Sequence, residues 1–134
     1  MIGAVIITHG RLAQALLSAA ESISGKVEGV STLSISQSDT TEGLRDVLTQ
    51  ALKEADSGGG VLIFTDMFGG TPTNMALSTF EKGRVEVITG VNLPMVIKYL
   101  SHRSEKGLDE LSVLLRDYGQ KSIVLAGDML KEKK

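Results

Sequence analysis

The chain contains no cysteine and no tryptophan, and only 4% of its 134 residues are aromatic. Without thiols it can form no disulfide staple, no thiol nucleophile and no cysteine-held zinc or iron-sulfur site. No stretch reaches the roughly 18 apolar residues that a membrane-spanning helix requires. The opening run MIGAVIITHG has neither the basic start nor the long apolar core of a signal peptide, so a cytoplasmic location without membrane insertion is expected. A net charge of −2 offers no general attraction to nucleic acid, and the basic tail KEKK at 131–134 reads as a solvated terminus. Two nucleotide motifs are also missing: there is no G-x-x-x-x-G-K-[ST], and no G-x-G-x-x-G follows the first apolar run. One histidine and one aspartate are too few ligands for zinc, and no second acid stands beside His9 for magnesium, so neither metal nor cofactor is expected.

What is present is an ordinary globular composition, 42% hydrophobic and 22% charged, with a length that suits one domain over 1–134. Short runs of branched apolar residues alternate with helix-period segments, the pattern of β-α units around a parallel sheet. Strands are predicted near 2–7, 30–35, 61–65, 85–89 and 122–126. The runs AVII and VLIF are apolar without alternation, as in central strands covered on both faces, whereas STLSIS alternates and belongs at an edge. Helices are predicted at 11–24 (Leu12, Leu16, Ala19, Ala20 and Ile23 inward), at 40–55 (Leu44, Val47, Leu48, Ala51, Leu52 and Ala55 inward) and at 108–118 (Leu108, Leu111, Leu114, Leu115 and Tyr118 inward). Asp39 and Glu42 offer an N-terminal cap for the second of these helices, while Gly25 and Gly119 stand where helix-ending glycines belong.

Two strands end on polar residues before a glycine: IITHG at 6–10 and FTDMFGG at 64–70. In an open parallel sheet, ligands gather beyond the carboxyl ends of the strands where the strand order reverses. A flavodoxin-like order 2-1-3-4 makes the first and third strands neighbours and brings His9 and Asp66 face to face. A carboxylate bonded to one imidazole nitrogen fixes the tautomer and leaves the other nitrogen as a nucleophile. In GGTPTN, Thr71 suits a helix N-cap and Pro72 the first helical position, so a helix start with free amides is expected beside Gly69 and Gly70. A nucleophilic histidine, an orienting acid and an anion cradle are the parts that phosphoryl transfer through histidine requires. Each part also has a plainer reading: His9 capping the next helix, Asp66 taking loop amides, GGTP as an ordinary capped turn, and GVNLP at 90–94 as a strand-to-helix turn. His102, in YLSHRSEKG, reads as solvated.

Together, ITHGRLAQALL, DMFGGTPTN and GVNLPM resemble, over nearly the whole chain, the mannose-type enzyme IIA family of the bacterial phosphoenolpyruvate-dependent sugar phosphotransferase system. The resemblance implies a flavodoxin-like, mainly parallel sheet with helices on both faces. It also implies a homodimer in which the strand near 122–126 adds antiparallel to the partner's sheet. It further implies a phosphocarrier that accepts a phosphoryl group from the histidine phosphocarrier HPr and passes it to a IIB component. His9 matches the phosphorylated histidine, acting through Nε2, and Asp66 matches its carboxylate partner. Gly69, Gly70 and Thr71 fall in the phosphate-holding turn. Gly10, Arg11, Phe68, Asn92 and Pro94 are expected on the rim where partners meet the site. Thr73 stands where relatives often have phenylalanine and Arg11 where some have an aromatic residue, departures expected to bear on docking. Two rival readings remain at this point: a receiver-like module phosphorylated on Asp66, and a phosphorylated regulator rather than a transport component.

Overall fold

The structure is a computed structural model that describes residues 1–36 and 39–131. Four strands, β1 (Gly3–His9), β2 (Val30–Ile35), β3 (Val61–Thr65) and β4 (Val85–Thr89), form a parallel sheet in the order β2-β1-β3-β4. This is the predicted 2-1-3-4 order, with STLSIS at an edge as its alternation indicates.

Both faces of the sheet are covered, which explains the unbroken apolar runs of its central strands. On one face Ala4, Ile6, Leu62 and Phe64 pack against α1 (Leu12–Ser24), α4 (Leu93–His102) and α5 (Leu108–Lys121) through Ala13, Ala20, Val96, Tyr99, Leu111 and Leu115. On the other face Val5, Ile7 and Ile63 pack against α2 (Thr41–Ala55) and α3 (Gly70–Leu77) through Leu48, Ala51, Met75 and Ala76. Successive strand residues therefore serve opposite layers, as the two-residue pleat dictates.

Several local expectations change. The cap of α2 is Thr40, whose hydroxyl accepts from the Gly43 N–H, while Asp39 accepts from the Ser36 N–H instead. Leu12, Ile23, Val47 and Tyr118 are exposed, because each helix meets the sheet along a stripe narrower than its apolar set. Gly25 closes α1 as predicted, but Gly119 lies inside α5 rather than at its end. Its missing side chain makes room for another helix: a Cβ there would lie 3.6 Å from Asn92 Oδ1 and would collide with Met95 Cε.

The largest correction concerns 122–126. No strand forms there among the described residues: α5 runs to Lys121, 123–125 are irregular, and α6 (Ala126–Lys131) follows. A strand needs a neighbour to satisfy its N–H and C=O groups, and in the single chain this segment pairs with no strand. Ile123, Val124 and Leu125 are 79%, 61% and 70% exposed. The predicted tail reading falls for 132–134 outside the described residues.

Candidate functional site

The parallel register pairs Ile7 with Thr65, so His9 at the end of β1 and Asp66 just past β3 emerge side by side. The Asp66 Oδ2 atom accepts twice from His9, from the main-chain N–H at 3.0 Å and at ring Nδ1 at 2.8 Å. The imidazole is 49% exposed while the carboxylate is only 12% exposed, so a fixed acid supports an accessible ring. Burial pushes the Asp66 carboxyl up. The hydrogen bonds from the His9 N–H and ring, the ring's charge and Asp66's own amide outweigh it, holding the carboxyl below its ordinary 3.8. An ionised carboxylate has no proton to give, so Nδ1 must be the donor, and in the neutral ring Nε2 keeps its lone pair.

Nε2 faces the turn after β3. A Cβ built on Gly70 would stand 3.3 Å from His9 Cε1 and 3.4 Å from Nε2. Helix α3 begins at this glycine, with Gly69 as N-cap and no side chain capping it, so the predicted Thr71 cap lies inside the first turn instead. The leading N–H groups of a helix have no partner within it. Pro72 supplies none, which leaves Gly70 and Thr71 as amide donors in the opening turn of the helix. Gly69 and Gly70 have φ of +89° and +80°, a region open to glycine and costly for other residues.

Gly70→Ala is therefore expected to lower the melting temperature and to block Nε2. Gly69→Ala, whose Cβ meets nothing within 4 Å, should share the backbone penalty of about 1–3 kcal/mol and leave the ring accessible. Thermal melts paired with chemical phosphorylation of His9 separate the two effects. Equal His9 reactivity in the two variants would remove Gly70 from the approach to Nε2.

The rim is built from exposed and anchored residues. Gly10 is exposed and its N–H bonds the Ile35 carbonyl; Arg11 is exposed at the start of α1. Met67 and Phe68 project from the β3–α3 turn, 55% and 78% exposed. Asn92 caps α4 through the Met95 N–H and donates to the Gly119 carbonyl, with Pro94 in the first turn of that helix. The Val91 N–H bonds the Thr65 carbonyl, which joins this segment to the end of β3. His102 lies elsewhere, bonded to Glu105 at the end of α4.

The bonding roles of three threonines escaped the sequence reading. Thr8 accepts from the Ala13 N–H and thereby caps α1, fixing the chain on either side of His9. Thr65 bonds Thr73, which is fully buried and donates to the Met67 carbonyl. Thr73 therefore presents no hydroxyl to solvent. The available signal was the shared pattern ITH and FTD, an apolar strand ending on threonine just before the polar residue.

The family profile described as "PTS system fructose IIA component" matches residues 3–113. The chain belongs to this mannose-type IIA family of the phosphotransferase system. It is 35% identical over 91% of its length to the "PTS system mannose-specific EIIAB component" of Escherichia coli (strain K12), of which it spans 38%. It is 31% identical over its whole length to the "PTS system fructose-specific EIIA component" of Bacillus subtilis (strain 168), spanning 92% of that protein. Its fold also superposes, with a TM-score of 0.85 and 27% identity, on the PTS IIA protein associated with the fucose utilization operon from Streptococcus pneumoniae, covering 96% of this chain and 95% of that one. No helix among the described residues is long and apolar enough to cross a membrane.

Proposed function

We propose that this IIA component is a cytoplasmic phosphocarrier that receives a phosphoryl group from phospho-HPr on His9 and hands it to a IIB component for sugar uptake. One observation carries the reading: Asp66 holds Nδ1 of His9 at 2.8 Å while Nε2 faces the open helix start at Gly70. In the transfer, the Nε2 lone pair forms the new P–N bond as the bond between phosphorus and the donor imidazole breaks. The ring becomes cationic with its proton still on Nδ1, and the Asp66 carboxylate neutralises that charge. The amides of Gly70 and Thr71 face the phosphoryl oxygens. The dipole of α3 adds about 0.3–1 kcal/mol toward them, a modest hold that suits a group meant to leave again. Arg11 and Phe68 provide rim contacts for the partners.

The test is transfer of label from phosphoenolpyruvate through enzyme I and HPr. The expected label is lost in acid and survives alkali. Label lost to alkali and hydroxylamine would move the phosphoryl group to Asp66 and favour the receiver-like reading, which the double engagement of Oδ2 by His9 opposes. The relatives named above are components of sugar transport systems, which favours relay over a purely regulatory role.

The family's dimer also finds support. No described strand pairs with the outer edge of β4, and a cleft of about 530 Å³ lies beside it, lined in part by Val87, Ile88, Val113 and Arg116. Ile123–Leu125, exposed in the single chain, match a strand that would lie antiparallel along a partner's β4. Light scattering is expected to give twice the chain mass, reduced to the chain mass by Val124→Asp. A chain that is monomeric at every concentration tested would remove the exchanged strand.

A further inference from the structure

We infer that Thr73 is a positioning residue that sets the spacing between Asp66 and Gly70, an assignment that rests on the phosphocarrier reading of His9. Its hydroxyl lies 2.8 Å from the Thr65 hydroxyl, and it donates to the Met67 carbonyl. A hydroxyl has one proton. Because that of Thr73 goes to Met67, the Thr65 hydroxyl must be the donor in the pair. The chain of bonds runs from Thr65 through Thr73 to Met67, and its two ends flank Asp66 in sequence. Thr65 and Thr73 are both fully buried, so water does not compete for these bonds.

The consequence reaches the ring of His9. Its Nδ1 partner, Asp66, directly follows β3, while the residue facing its Nε2, Gly70, begins α3. Three residues, Met67, Phe68 and Gly69, connect the two; Gly69 and Gly70 itself have positive φ, and such a turn has little stiffness of its own. Thr73 belongs to α3 and is bonded to the strand end and to the turn. It therefore closes the loop on itself and fixes carboxylate and helix start against each other, with His9 between them. The Val91 N–H on the Thr65 carbonyl anchors the same strand end from the β4 side. Thr73 touches neither the ring nor the phosphoryl group, so its effect passes through the turn.

Thr73→Val removes the hydroxyl at nearly constant volume, and Thr73→Ser restores it. In ¹⁵N-labelled unphosphorylated protein, the Val variant is expected to lose the sharp Nδ1-protonated signature of His9. In the relay its maximal transfer rate should fall about tenfold or more, with the half-saturating concentration of phospho-HPr unchanged, since a misplacement of about 1 Å can cost a hundredfold. The Ser variant should return to within about twofold of the parent. Parent-like resonances and rates in Thr73→Val, or a Ser variant as slow as the Val variant, would overturn the assignment. If Thr73→Val does not fold, Thr65→Val decides, because it removes one bond of the chain and leaves the other: an altered His9 signature supports the assignment and a parent-like one sinks it. A parent protein that takes no label from HPr would remove the phosphocarrier reading, yet the imidazole resonances would still report whether Thr73 sets the site.

Discussion

His9→Ala is expected to abolish labelling from phospho-HPr while leaving the fold in place. The side chain is half exposed, and the Asp66 carboxylate keeps its bond from the main-chain N–H of residue 9, so little stability rides on the ring. The variant should melt within about 5 °C of the parent, the shift that a single lost hydrogen bond of about 1 kcal/mol gives in a domain of this size. The chain has one other histidine, and it is remote. His102 closes the far end of α4, where the Arg103 carbonyl accepts from the Ile2 N–H at the start of β1. The seven residues of β1 separate that end from His9 by about 23 Å at 3.3 Å per residue. Persistent acid-labile label in the variant, measured against the parent under the same relay conditions, would force another acceptor.

Asp66→Asn is expected to slow transfer by about a hundredfold and to keep the fold. The loss falls between the tenfold typical of a weakened orienting bond and the 10⁴ seen where an amide reverses the tautomer of a catalytic histidine. An asparagine that presents its oxygen keeps the geometry and loses the charge that balances the phosphorylated ring. One that presents its NH₂ moves the ring proton to Nε2 and removes the nucleophile. Rapid-quench transfer rates together with ¹⁵N resonances of His9 distinguish the two, and parent-like rates would end the orienting role. The carboxyl also has a signature in stability. Its folded pKa lies below the ordinary 3.8, so the unfolded chain binds the proton more readily. The stability it contributes is present above 3.8 and is lost as pH falls through the lower folded value. The parent should thus exceed Asp66→Asn in denaturant stability at pH 6, with the gap shrinking below pH 3.8. A gap that is constant over this range would mean that the carboxyl gains nothing from His9.

The residues that carry the proposed chemistry could be read early because each interrupts a strong pattern. His9 and Asp66 are polar ends on apolar strands, and two adjacent glycines in a turn announce a helix start. Thr65 and Thr73 gave no such contrast. A threonine is at home in a strand or in a first helical turn, and only the fold shows that these two hydroxyls meet in a dry interior. The cap of α3 shifted from Thr71 to Gly69 for a related reason: adjacent side-chain types announce a start, but backbone angles choose its residue.

The apolar runs and helical stripes by themselves determined the alternation of elements, the parallel sheet and the buried strands, because burial on both faces leaves a one-dimensional record in residue type. Tertiary structure settled the β2-β1-β3-β4 order, which periodicity could not, and with it the meeting of His9 with Asp66 and of Thr65 with Thr73. Those contacts join residues far apart in the chain or across a turn, where no period connects them. It also left 123–125 without strand structure in the single chain. That segment has the apolar, branched composition of a strand, but composition supplies only the propensity, and in the single chain the segment pairs with no strand.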